Sequence, residues 1–103
     1  MPVERWSEQR DGVLSETAMR RKLEQRGYQV ERYLYPPGTV FPPHQHRQNK
    51  LDAVLSGRLR LVLQGRTLVL EAGDCLAIAQ GVTHGAEVVG SEPVISLDGV
   101  RWD

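Results

Sequence analysis

Histidine is the scarce reactive residue of this chain, occurring three times, at His44, His46 and His84. A neutral imidazole offers a nitrogen lone pair that suits first-row divalent ions. Only Gln45 separates His44 from His46. In an extended segment alternate side chains point the same way, so both rings face one side. His84 lies far along the chain, in Gly81-Val82-Thr83-His84, at the start of another strand. Two ligands from one strand and a third from a later strand are expected to meet only if the sheet closes on itself, as a small barrel does. Such a trio predicts a divalent transition metal (iron, manganese, nickel, zinc or copper), because imidazoles suit several of these ions. A further coordination position would be left to water or substrate, the arrangement catalytic metals need.

Lys50 and Asp52 lie two residues apart and face the same way in a continuous strand. Asp52 is a candidate fourth ligand or a partner for Lys50, and Gln48 is the nearer neutral candidate. Lys50 could grip a substrate carboxylate or, if buried, act as a base; the alternative is a solvated strand lysine. Lys50 and Asp52 are therefore the candidate catalytic residues, and no separate organic cofactor is expected. Cys75 reads as a small core residue. Tyr33, Tyr35 and Phe41 are expected in the core. Trp6 and Trp102 are expected to pack the terminal strands or a subunit interface.

The elements that must position these groups fall into two parts, residues 1–27 and 28–103, within one domain. Ser15 is a good N-cap for a helix over roughly Glu16 to Arg26, with Leu14 stapled onto Met19 and Gly27 as a left-handed C-cap. Ala18, Met19 and Leu23 form a short apolar stripe, so this helix should pack outside something larger. The remainder reads as short strands: Tyr28 to Tyr35, Leu51 to Leu55, Arg58 to Leu63, Thr67 to Leu70, Cys75 to Ala79, Ala86 to Val89 and Pro93 to Leu97. Ser56-Gly57 carries a hairpin signal. No helix falls between the strands, so the sheets should be antiparallel. Many short, evenly spaced strands point to a sandwich or barrel.

The chain has 103 residues, enough for one hydrophobic core. Thirteen basic and thirteen acidic residues cancel, so charge indicates neither nucleic acid nor an anionic membrane as partner. The run Arg20-Arg21-Lys22 reads as a solvated helix face. Cys75 is the only cysteine, which excludes an internal disulfide and fits a reducing cytoplasm. The N-terminal residues are charged where a signal peptide would be apolar, and no apolar run reaches membrane-spanning length. A cytoplasmic protein is expected.

Two motifs in register resemble those of the cupin superfamily. The first places Gly38, His44, His46 and Gly57 at the family's spacing; the second places Gly73, Gly81 and His84. The resemblance is close from Gly38 to Val88. Ala79 and Val88 replace a proline and an asparagine of the pattern. Lys50 stands where the family carries a glutamate ligand, its one anionic donor. The resemblance implies an all-β double-stranded β-helix, or jelly-roll barrel, with one short N-terminal helix outside it. It implies a metal site formed by His44, His46 and His84.

Three functional classes follow. One is a metal-dependent oxygenase, isomerase or lyase acting on a small polar molecule in the barrel. The second is a non-catalytic module that binds or senses a small ligand. The third is a partner-binding barrel with a vestigial pocket, for which a homodimer would cover the exposed sheet edges.

Overall fold

The computed structural model describes residues 2–102. Eight strands form two antiparallel four-stranded sheets. The first sheet has the order β1 (Gln29–Tyr35), β8 (Val94–Arg101), β3 (Asn49–Ser56), β6 (Cys75–Ile78). The second has the order β2 (Val40–His44), β7 (His84–Val88), β4 (Leu59–Leu63), β5 (Arg66–Leu70). Only β4 and β5 are sequence neighbours that pair; every other connection carries the chain from one sheet to the other. This is the expected jelly roll. Among the described residues, no helix is long and apolar enough to cross a membrane.

Two expected boundaries change. Ser56-Gly57 does not close a hairpin, because β3 and β4 lie in different sheets. Gly57 takes φ 80°, and a Cβ there would stand 2.3 Å from the Pro93 carbonyl oxygen. The glycine thus serves a sharp crossing between sheets at a close backbone approach. The strand β2 was hidden by Pro42 and Pro43, which break the usual strand composition. Proline is tolerated there because β2 is an edge strand.

The helix α2 (Glu16–Gln25) begins as expected, with the Ser15 hydroxyl accepting from the Ala18 N–H at 3.0 Å. A short α1 (Glu8–Asp11) precedes it and was not expected, since its single turn has no apolar stripe to read. Met19 and Leu23 of α2 are buried against the outer face of the first sheet, with Val30, Leu51, Ala53, Cys75 and Leu97. A second core fills part of the barrel interior, with Leu59, Leu61, Leu63, Leu70, Leu76 and Ile78 among its members.

The helix inverts the usual sense of the strand pattern. On β3, Leu51 and Ala53 point outward but are covered by α2. Lys50 and Asp52 alternate with them and therefore point into the barrel. On β8, Leu97 points out to α2, while Ser96 and Asp98 face in. Polar residues that would mark a solvent face on an uncovered sheet here line an interior cavity.

The N-terminal arm closes the free edge of β6. Glu4 and Cys75 exchange two backbone hydrogen bonds of 2.9 Å, and the Trp6 N–H donates to the Gly73 carbonyl at 3.0 Å. An otherwise unpaired strand edge is thereby covered. Trp6 packs on the outer core as expected, whereas Trp102 is 68% exposed.

Candidate metal centre

His44 ends β2 and His84 begins β7, and the two stand directly opposite in the ladder. His46 follows two residues after His44. The ring centroids lie 4.4 Å apart for His44 and His84, 4.7 Å for His44 and His46, and 5.3 Å for His46 and His84. One nitrogen from each ring falls within 4.8 Å of the others. Barrel closure is not what unites them, contrary to the sequence expectation. The jelly-roll order makes β2 and β7 immediate neighbours, so one ladder brings His44 to His84.

A bulge in β2 aims the ligands. The register with β7 shifts between Phe41 and His44. Strict alternation would put residues three apart on opposite faces; the extra residue lets both line the cavity. Gly85 of β7 lies beneath this irregular stretch, where a Cβ would meet the Phe41 carbonyl oxygen at 3.2 Å.

Two of the rings are fixed by backbone carbonyls two residues before them. His44 Nδ1 lies 2.7 Å from the Pro42 carbonyl oxygen, and His84 Nδ1 lies 3.0 Å from that of Val82. In the neutral ring Nδ1–H donates to the carbonyl and leaves Nε2 as the lone-pair donor. This is the orienting contact that metal-bound histidines ordinarily carry. Burial holds His84 below the usual histidine range, reinforced by His44 and Lys50. His46 is likewise lowered, by burial first and then by Lys50 and its neighbouring rings. Neutral imidazole is the ligating form.

The histidines open onto a cavity of about 240 Å³. Tyr33, Tyr35 and Phe41 form an aromatic wall, which corrects their expected placement in the core. Tyr35 and Phe41 meet edge to face at 4.9 Å. They are reached because Glu31, Tyr33 and Tyr35 alternate with Val30, the β1 residue buried under α2. Lys50 and Asp52 line the same cavity, so neither is a surface residue of the strand. Among the described residues, the ligand-atom cluster consists of the three histidines and does not extend to Asp52. Gln48 precedes β3 and is not part of the cavity wall.

Sequence reasoning missed Asp98. It stands opposite Asp52 in the β3–β8 ladder and lines the cavity. Its Oδ2 accepts from the Tyr35 hydroxyl at 2.6 Å. Burial pushes the Asp52 carboxyl up to about 7, with the Asp98 charge adding to it and Lys50 opposing. Burial and Asp98 together hold the Tyr35 phenol well above its ordinary range. The signal was present in Ser96-Leu97-Asp98, an alternation matching Lys50-Leu51-Asp52, but it only gains meaning once the covering helix is known.

Cys75 is buried on the far side of the first sheet, and burial pushes its thiol up to about 11. It is a core residue, as expected. A larger cavity of about 600 Å³ lies beneath the N-terminal arm and is bordered by Tyr28, Cys75 and Arg101, without any of the histidines.

The comparisons with known proteins agree with this architecture. Residues 31–99 match the family model described as the Cupin domain. A Sinorhizobium fredii protein, y4oW, is 33% identical over 58 residues, which cover 56% of this chain and 27% of that one. The chain thus spans about a quarter of the length of this relative. The cupin domain of Schizosaccharomyces pombe Cnp3 superposes with a TM-score of 0.68 at 14% identity, covering 74% of this chain and 56% of that one. The DMSP lyase DddQ of Ruegeria pomeroyi gives 0.65 at 24% identity, over 72% and 38% of the two chains. The salicylate 1,2-dioxygenase of Pseudoaminobacter salicylatoxidans gives 0.65 at 25% identity, over 70% and 22%. The family match over most of the chain, the jelly-roll order and the clustered histidines agree: this chain belongs to the cupin family.

Proposed function

We propose that His44, His46 and His84 hold a divalent transition metal and that the chain acts on a small polar molecule lodged in the barrel, as an oxygenase, isomerase or lyase. The observation that carries this reading is the convergence of three imidazole nitrogens within 4.8 Å, two of the rings held through Nδ1 by backbone carbonyls. The donor set fits iron, manganese, nickel, zinc or copper. Such an ion, when bound, polarises an oxygen of the molecule that coordinates it. The chain's own residues supply the rest. Tyr33, Tyr35 and Phe41 wall one side of the cavity. Lys50 offers a cation to an anionic group of the ligand, and Asp52 is placed to orient it. The salicylate dioxygenase likeness supports an enzymatic reading of the barrel, although the chain matches less than a quarter of that enzyme.

A second reading has its own observation. Lys50 occupies the place of the family's glutamate ligand and raises the positive potential around the histidines. This favours a module that binds or senses a small anion without turnover. A cytoplasmic homodimer belongs to either reading; Val40 and Val62, 63% and 50% exposed on the outer face of the second sheet, are surfaces a second copy would cover.

Elemental analysis of the protein purified without added metal tests the first reading. Stoichiometric iron or manganese, lost in His84→Ala, is the expected result. Zinc or nickel without turnover selects the second reading. Absence of metal, with a melting temperature unmoved by added divalent ions, would overturn the first reading.

A further inference from the structure

Two carboxylates that face each other inside a barrel are costly if both are ionised, since like charges in low dielectric repel and each loses water. Asp52 and Asp98 are in this position. They are directly opposed in the β3–β8 ladder, which places their Cβ atoms about 4.5–5.5 Å apart. Both open on the same cavity. The charged and titratable groups facing them are Lys50 on their own sheet, Tyr33 and Tyr35 from β1, and His44, His46 and His84 across the barrel.

The hydrogen bonds around Asp98 indicate how the repulsion is relieved. The hydroxyl of Ser96, a fully buried residue, lies 2.6 Å from Asp98 Oδ1 and 3.1 Å from the Ala53 carbonyl oxygen. A serine has one hydroxyl hydrogen, so it cannot donate to both oxygens. If Asp98 Oδ1 carries a proton, each contact has its hydrogen: Asp98 donates to Ser96 Oγ, and Ser96 donates to the Ala53 carbonyl. Oδ2 accepts from the Tyr35 hydroxyl in either case. When the proton instead sits on Asp52, the Ser96 hydroxyl turns its hydrogen to Asp98 Oδ1. The arrangement therefore has two forms related by one proton and one hydroxyl rotation.

We propose that Asp52 and Asp98 share a single proton and form the acid–base pair of this cavity, with Tyr35 and Ser96 as its positioning residues. One carboxylate is then free to accept a proton from a hydroxyl of a ligand, the bonding electrons staying on the ligand oxygen. The other, still neutral, can return a proton to the ligand. Charge balances without an oxidant or reductant.

The test is carbon NMR of the full chain labelled at aspartate carboxyls, followed against pH in the presence of a chelator. This makes the outcome independent of whether the histidines hold metal. One carboxyl is expected to retain its proton after the others have ionised and to release it near neutrality. Asp98→Asn should lower the Asp52 midpoint by about one pH unit or more, because the opposing charge is gone. Asp52→Asn should abolish the late-released proton and covers the case in which the first variant fails to fold. Tyr35→Phe should raise the midpoint of the pair, since ionised Asp98 loses a donor. Complete ionisation of every aspartate by pH 5, or midpoints unmoved by both asparagine variants, would overturn the proposal. So would loss of metal from Asp52→Asn purified without chelator, read by elemental analysis against wild type, which would make Asp52 a ligand instead of a proton carrier.

Discussion

His44 and His84 face each other across the β2–β7 ladder with ring centroids 4.4 Å apart, each ring held by the carbonyl two residues before it. The same local contact, ring nitrogen to the carbonyl two residues before it, thus recurs at both histidines. Replacing His44 by alanine should weaken metal retention by more than the roughly 10–100-fold typical of losing an outer-shell partner. Competition with a chromophoric chelator measures this. Retention equal to wild type would place the metal elsewhere.

Lys50 provides the sharpest electrostatic test of the site. Its charge bears on His46, His84 and Asp52 alike. Lys50→Glu exchanges a repelling charge for an attracting one beside a dication. Metal affinity should rise by at least about tenfold on Coulombic grounds, read by the same competition. A fall in affinity would show that the lysine supports the site in some other way.

Acid stability should depend on the N-terminal arm. Glu4 pairs with Arg26 at 2.5 Å and Lys22 at 3.1 Å, and these cations hold its carboxyl down to about 2, Arg26 contributing most. A lowered carboxyl stabilises the fold above its unfolded value of 4.5, and that contribution is lost as pH falls from there towards 2. Because Glu4 is partly solvated, screening limits the effect to about 1 kcal/mol. Urea unfolding of Glu4→Gln should show this deficit at pH 7 and match wild type near pH 2. An equal deficit at both values would point to packing of the arm instead of charge.

The cover on the first sheet is a stability element. Leu23 of α2 is fully buried in the outer core. Leu23→Ala should cost about 2–5 kcal/mol by transfer and cavity terms, seen as a lower urea midpoint. A loss below 1 kcal/mol would mean that α2 contributes little to holding β3 and β8.

Gly57 joins the sheets at positive φ against the Pro93 carbonyl. Gly57→Ala should lower stability by roughly 1–3 kcal/mol, combining backbone strain with the clash, again measured by urea unfolding. A neutral substitution would show that the crossing can relax.

Much of the site could be read from residue types. His44 and His46 share a face by alternation alone, and the glycine spacing around them carried the family resemblance. Placing His84 beside them required the strand order, because β2 and β7 are distant in sequence and adjacent only in the sheet. Asp98 was overlooked for the same reason: nothing local relates it to Asp52. The prolines of β2 concealed a strand that only its edge position permits.

The sequence by itself determined the alternation on each strand, the capped helix, the scarcity of histidine and the unusual lysine at position 50. Those are local properties, set by side-chain period, turn chemistry and composition. Tertiary structure decided which face of each strand is inside. Once α2 buries Leu51, Ala53 and Leu97 on the outer side of the first sheet, alternation turns Lys50, Asp52 and Asp98 towards the histidines. A period of two specifies that two faces differ; only packing against another element specifies which one becomes the cavity wall.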